Sequence, residues 1–126
     1  MEFALCVLLM LMMLIGVVEM CRMALVFNTL SDGARIGTRY AIVHGSNNST
    51  STSQIQSVVR SFLSGVNTSN VTVTTDYPDP VGTATSGCTK PGCRVTVTTS
   101  YPYDPFTTYF PISINLGSTS QGVITF

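Results

Sequence analysis

From Phe3 to Val18 the chain runs through sixteen consecutive residues with no charge, no hydroxyl and no proline, and a single carboxylate, Glu2, stands at the head of that run. Leu, Met and Ala dominate it, and these are strong helix formers. The run passes through Glu19-Met20-Cys21-Arg22 and stays apolar from Met23 to Phe27. An unpaired carboxylate in hydrocarbon costs several kcal/mol, at least ~2.5 by insertion scales, so Glu2 needs a partner wherever this helix is buried. The segment therefore reads as more than an anchor. It is suited to leave a bilayer and pack against copies of itself.

A chain of 126 residues has room for one long helix and one small domain. Hydrophobic residues make up 44% and charged residues only 10%, but the two are segregated. Leu and Met concentrate before Leu30, and Ser, Thr, Asn, Gly and Pro dominate afterwards. Six basic and six acidic residues give zero net charge, which excludes an electrostatic case for nucleic-acid or anionic-surface binding.

The four cysteines are of two kinds. Cys6 and Cys21 lie in the apolar helix about 22 Å apart along its axis and cannot bridge within one chain; buried free thiols are the plain reading. Cys88 and Cys93 flank Thr89-Lys90-Pro91-Gly92, where Pro-Gly favours a tight turn. A disulfide is expected there, and with it an oxidising compartment. One Cys-x4-Cys without a second ligand pair does not make a zinc site, and no metal or other cofactor is expected.

A secretory signal normally opens with a basic region and ends at a small-residue cleavage site. No Lys or Arg precedes Arg22. Phe3 to Phe27 gives about 37 Å of helix, enough for a hydrocarbon core of about 30 Å. Glu19 and Arg22, one turn apart, can pair. Leu25, Phe27, Leu30, Ala34, Ile36, Tyr40, Ala41 and Val43 continue a helical distribution, with Arg35 and Arg39 on the polar side. One helix is thus expected from about Glu2 to Val43. Gly33 and Gly37, four apart within it, offer a strip where another element can approach closely, unless Asp32-Gly33 breaks the helix. The tract from Gly45 to Ser53 ends it. Ile55, Val58, Val59, Phe62 and Leu63 then mark a short helix over 53–64, capped near Thr52 and stopped by Gly65.

From Val71 the period changes to two. Val71-Thr72-Val73-Thr74-Thr75-Asp76-Tyr77-Pro78 is echoed by Val95-Thr96-Val97-Thr98-Thr99-Ser100-Tyr101-Pro102, which predicts two equivalent strands in one sheet with valines inward and threonines outward. A third strand is expected around Phe110 to Leu116 and a fourth around Ser120 to Phe126. The fold class is α+β: a long N-terminal helix packed through its C-terminal half on a small, mostly antiparallel sheet over 70–126, with one short extra helix. The organisation is a hydrophobic helix over 1–27 and a head over 28–126, whose first part, 28–43, is the amphipathic half of the helix. The stretch from Met1 to about Val26 is left bare, to be covered by lipid or by sister subunits.

Glu2-Phe3-Ala4-Leu5, the Leu-rich run and Gly16-Val17-Val18-Glu19-Met20-Cys21-Arg22 together resemble the TadE-like family, pilin-like proteins of the tight-adherence (Flp) branch of type IV pili. Asn28 to Ala41, with Ala34-Arg35-Ile36-Gly37-Thr38-Arg39-Tyr40, resembles the next block of that family, and Val95-Thr96-Val97 leading into Tyr101-Pro102-Tyr103 its strand before a proline loop. The likeness is continuous over about the first 43 residues and patchy beyond. It implies that Glu2 corresponds to the carboxylate of the pilin cleavage motif and pairs with a neighbour's N-terminal amine in assembly. Met1, Glu2, Phe3, Glu19 and Arg22 are the implied assembly residues. Met20 and Cys21 depart from the Phe-Gly usual between the last two. Family members carry a leader before the glutamate. Arg22, Arg35 and Arg39 beyond the span would by themselves hold the head inside, whereas a disulfide-bearing head belongs outside. A basic leader upstream, removed by a prepilin peptidase, is the expectation that reconciles them.

The resemblance implies a structural pilin that waits in a bacterial inner membrane with its assembly machinery. It is then drawn into an extracellular helical filament of its own copies for adhesion at the cell surface. Two alternatives stand beside it: a minor pseudopilin or assembly factor of the Flp pilus, and a non-polymerising single-pass protein with an extracellular binding module. No enzyme is expected. His44, the one histidine, sits at the helix end, where a cation suits the dipole, and no nucleophile pairs with it. Asp76, Asp79 and Asp104 could gather around a cation, but turn formation explains them more simply. Asn47, Asn48, Asn67 and Asn70 open Asn-x-Ser/Thr matches, weak signals in so Ser/Thr-rich a chain.

Overall fold

A computed structural model describes residues 2–44, 52–78, 87–105 and 113–125. Helix α1 spans Glu2–His44 without a break, and α2 spans Thr52–Phe62. A 3-10 turn at Thr68–Asn70, capped by the Asn67 side chain accepting from the Ser69 N–H, leads into the sheet. Strands β1 (Thr72–Asp76), β2 (Arg94–Tyr103) and β3 (Ile114–Val123) form one antiparallel sheet in the order β1-β2-β3. This is the α+β architecture expected from the sequence.

The head is organised by one stripe of α1. Leu30, Ala34, Thr38 and Ala41 are buried, and Glu19, Met23 and Val26 are half-buried. These spacings of three and four residues keep one face turned to the sheet. Strand β2 lies along that stripe in the opposite direction. The Thr99 hydroxyl lies 3.1 Å from the Leu30 carbonyl, and the Tyr103 hydroxyl reaches Glu19. Helix α2 crosses the same stripe at Gly33 and Gly37. A Cβ at Gly37 would stand 2.6 Å from Val59 Cγ2 and 3.2 Å from Val97 Cγ1, so only glycine lets the helix, α2 and β2 meet there. Ile55, Val59, Leu63, Val71, Val73, Val95, Val97 and Ile124 fill the space between. A fully buried aliphatic side chain is worth about 1.5–3 kcal/mol.

Polar groups finish the packing. Thr38 Oγ1 lies 2.9 Å from the Ala34 carbonyl and 3.3 Å from that of Ser120, so its one proton ties the helix to itself or to β3. At the sheet's β1 edge, Gln56 and Arg60 of α2 donate to the Val73 and Val71 carbonyls at 2.9 and 3.3 Å. That covers the outer edge of β1, which would otherwise be open to pairing. The Lys90-Pro91-Gly92-Cys93 turn has proline second and glycine third, with Gly92 at φ +94° and the Cys93 N–H bonded to the Lys90 carbonyl at 3.0 Å. This is the geometry that Pro-Gly favours. Cys88 and Cys93 are joined across it.

Three expectations need correction. The third and fourth strands are one, Ile114–Val123, paired with β2 along its whole length; Phe110 and Phe126 lie outside the described residues. The echoed segments are neighbouring antiparallel strands of one sheet with valines inward, as expected, with Thr74 opposite Thr98, but the threonines are not all outward, because the inward face includes Thr99. The head also reaches further down α1 than a bare stretch ending at Val26 would allow, because Tyr103 meets Glu19.

Candidate functional site

Below Glu19 every residue of α1 from Phe3 to Val18 is exposed. Phe3 is 84% exposed, and Leu8, Leu9, Met10, Met12, Met13, Val18 and Met20 are exposed likewise. This part of α1 is long and apolar enough, with the residues above it, to cross a membrane, and its apolar window is wholly unburied. A contiguous apolar surface of this size marks an interaction site. Both free cysteines, Cys6 and Cys21, lie exposed on it rather than buried.

The upper limit of the bare surface is a small polar cluster. Tyr103, itself buried, donates its phenol to Glu19 Oε2 at 2.6 Å. Arg22 Nη1 stands 3.8 Å from Glu19 Oε1, with the arginine side chain 52% exposed and the carboxylate side chain 18%. The first contact is a short charge-assisted hydrogen bond; the second is a long exposed ion pair of small worth. Leu14, Ile15 and Val18 line a shallow cavity with Glu19 and Arg22 just below. Sequence reasoning pairs Glu19 with Arg22 and misses Tyr103. The available signal was a tyrosine with an apolar body and a polar tip at the end of an inward-facing strand pattern.

Burial raises the Tyr103 phenol above its usual 10.0, and the hydrogen bond to Glu19 and the charge of that carboxylate push the same way, against Arg22. Because the raised value belongs to the folded state, the neutral phenol's contribution is complete below about pH 10 and is lost as pH rises through the raised value. Tyr103→Phe is expected to destabilise the head by about 1.5–3 kcal/mol, the range for a hydrogen bond to a charged group. It should also remove one late component from the alkaline phenolate titration. Tyr77, raised by burial alone, supplies another that should remain. Thermal unfolding and absorbance titration of the pair check both.

The other candidates fall apart. Met1 lies outside the described residues, and Glu2 is the first residue of α1, with its side chain outside them. Glu2 and Phe3 stand a whole apolar run away from Glu19 and Arg22, so one chain does not bring the assembly residues together. Asp76 ends β1 opposite Thr96, while Asp104 follows β2 at its other end. Eight residues of strand put about 26 Å between those levels, and Asp79 lies outside the described residues. Among the described residues no group of three His, Cys, Asp or Glu could hold a metal ion. His44 is exposed, its ring stacked on Tyr40 at 4.2 Å and its Nδ1 3.0 Å from the Tyr40 carbonyl. Asn67 spends its side chain on the Ser69 N–H; Asn47 and Asn48 lie outside the described residues.

A bare apolar helix above which a small disulfide-bearing head is laid defines a helix-anchored protein. Residues 1–39 match the family model described as TadE-like protein, which bears out over those residues the resemblance read from the sequence. The match suggests a Tad pilus-associated protein, and with the apolar helix it points to membrane anchoring. No curated protein and no solved structure matches the chain.

Proposed function

We propose that the protein is a structural subunit of a Tad-type pilus, held in the inner membrane by α1 and then drawn into an extracellular helical filament used in adhesion. One observation carries this reading: the sixteen residues from Phe3 to Val18 are uncovered on every face. A simple anchor needs only lipid around it. A carboxylate at the tip of such a helix, at Glu2, is a liability in lipid and an asset in a protein assembly where it can be paired. The Ser- and Thr-rich outer face of the sheet, with Thr74, Thr98 and Thr119 in one row across the strands, is then the surface turned to solvent.

Shearing the surface appendages from cells and identifying their dominant protein by mass spectrometry tests the reading. The expected result is this chain as the main component, with its Cys88–Cys93 disulfide intact. Recovery of filaments in which it is a trace component would make it an assembly factor. Its retention in the membrane fraction with no filament recovered would refute polymerisation.

A further inference from the structure

The charges on the lower part of α1 place a neighbouring copy. Between Glu2 and Phe27 the helix carries three: Glu2, Glu19 and Arg22. Glu19 is engaged by the Tyr103 phenol at 2.6 Å. Arg22 is the only cationic side chain of the segment, and it is half-exposed and weakly held at 3.8 Å. Within one chain Glu2 and Arg22 cannot meet, because twenty residues of helix separate them by about 30 Å. Their directions around the helix differ by about 200°, at roughly 100° per residue, so they stand on nearly opposite sides. Opposite sides are what side-by-side copies related by translation require, since one copy must face its neighbour where the neighbour faces back.

We infer that in the assembly the Glu2 carboxylate of one copy docks on Arg22 of the next, with the two helices parallel and offset by about 30 Å. This rests on the filament reading and supplies its axial register. A second observation agrees with it. The head leaves Leu25, above Arg22, 66% exposed. It stands about 60° from Arg22 around the axis. An offset of twenty residues lays the bare run of one copy, Phe3 to Val18, level with 23–38 of its neighbour, so that run reaches and covers Leu25. The pair of opposite charges, removed from water together, fixes the step between subunits as a buried polar contact fixes register in coiled helices.

Two experiments read the register. Native Cys6 serves as a reporter: in a Cys21→Ser background carrying Leu25→Cys, oxidation of sheared filaments is expected to link Cys6 of one copy to the introduced thiol of the next, giving a ladder on non-reducing gels. Cross-links between Cys6 and Cys6 instead would mean no offset and would overturn the proposal. In parallel, Arg22→Glu and Glu2→Arg singly are expected to lower filament recovery at least tenfold, and the double variant to restore most of it. Membrane insertion and the Cys88–Cys93 disulfide serve as controls for folding. Filaments that survive Arg22→Glu unchanged would remove Arg22 from the contact and favour the neighbour's N-terminal amine as the partner of Glu2, leaving polymerisation itself intact. If wild-type protein yields no filaments, the docking and the filament reading fall together.

Discussion

Glu2→Ala is expected to abolish or disorder filament recovery while the protein still inserts in the membrane and forms its disulfide. Removing one partner of a buried ion pair strands the other, at a cost of about 3–5 kcal/mol. At about 1.4 kcal/mol per tenfold, that weakens each subunit contact on the order of a hundred- to several-thousand-fold. A polymer repeats the same contact at every subunit, so the loss is not averaged away. Insertion should be unaffected or improved, since the substitution takes a charge off the tip of an apolar helix. The measurement is a comparison of sheared and membrane fractions by quantitative immunoblot. A non-polymerising display protein would show no change in either fraction, and that outcome would remove the case for assembly through α1.

Gly37→Leu should destabilise the head by separating three elements at one point. A Cβ at this position already stands 2.6 Å from Val59 Cγ2, with Val97 at 3.2 Å. A branched side chain would force α2 and β2 away from α1 together. Overpacking in a closed core costs about 1–3 kcal/mol and occasionally more; here the gain of about 1 kcal/mol in helix propensity offsets part of it. The expected net result is a fall in the unfolding midpoint with α1 still helical by circular dichroism. Gly16→Leu, where nothing stands within 4 Å of a Cβ, is the matched control and should leave the midpoint of the isolated protein unchanged.

The helices were legible because their signals are long and local. The run from Glu2 to His44 carries no proline and shows a three-four pattern over its C-terminal half, and α2 repeats that pattern over eleven residues. The Gly33 and Gly37 strip was legible for the same reason, although which element would fill it was not. Strand β3 was misread because its inward positions, Ser118, Ser120 and Gly122, are small and polar where the strand lies on α1. No apolar alternation marks it, and the glycines suggest a break. Tyr103 escaped because its partner is 84 residues away. Such a pairing is set by where β2 lies along α1, and no local spacing encodes it. Thr99 is a third case: its hydroxyl meets the Leu30 carbonyl inside the core, which a rule placing threonines outward cannot anticipate.

The descent of β2 to Glu19 has a consequence for how tightly lipid holds the chain. Phe3 to Val18 is about 24 Å of helix, some 6 Å short of a typical hydrocarbon core. A copy standing in a bilayer must thin it locally or press the lower rim of its head among the lipid headgroups. Each ångström of hydrophobic mismatch costs a fraction of a kcal/mol. On the filament reading proposed above, a bilayer would grip such a chain less firmly than one with a full-length span, and less work would be needed to draw it out.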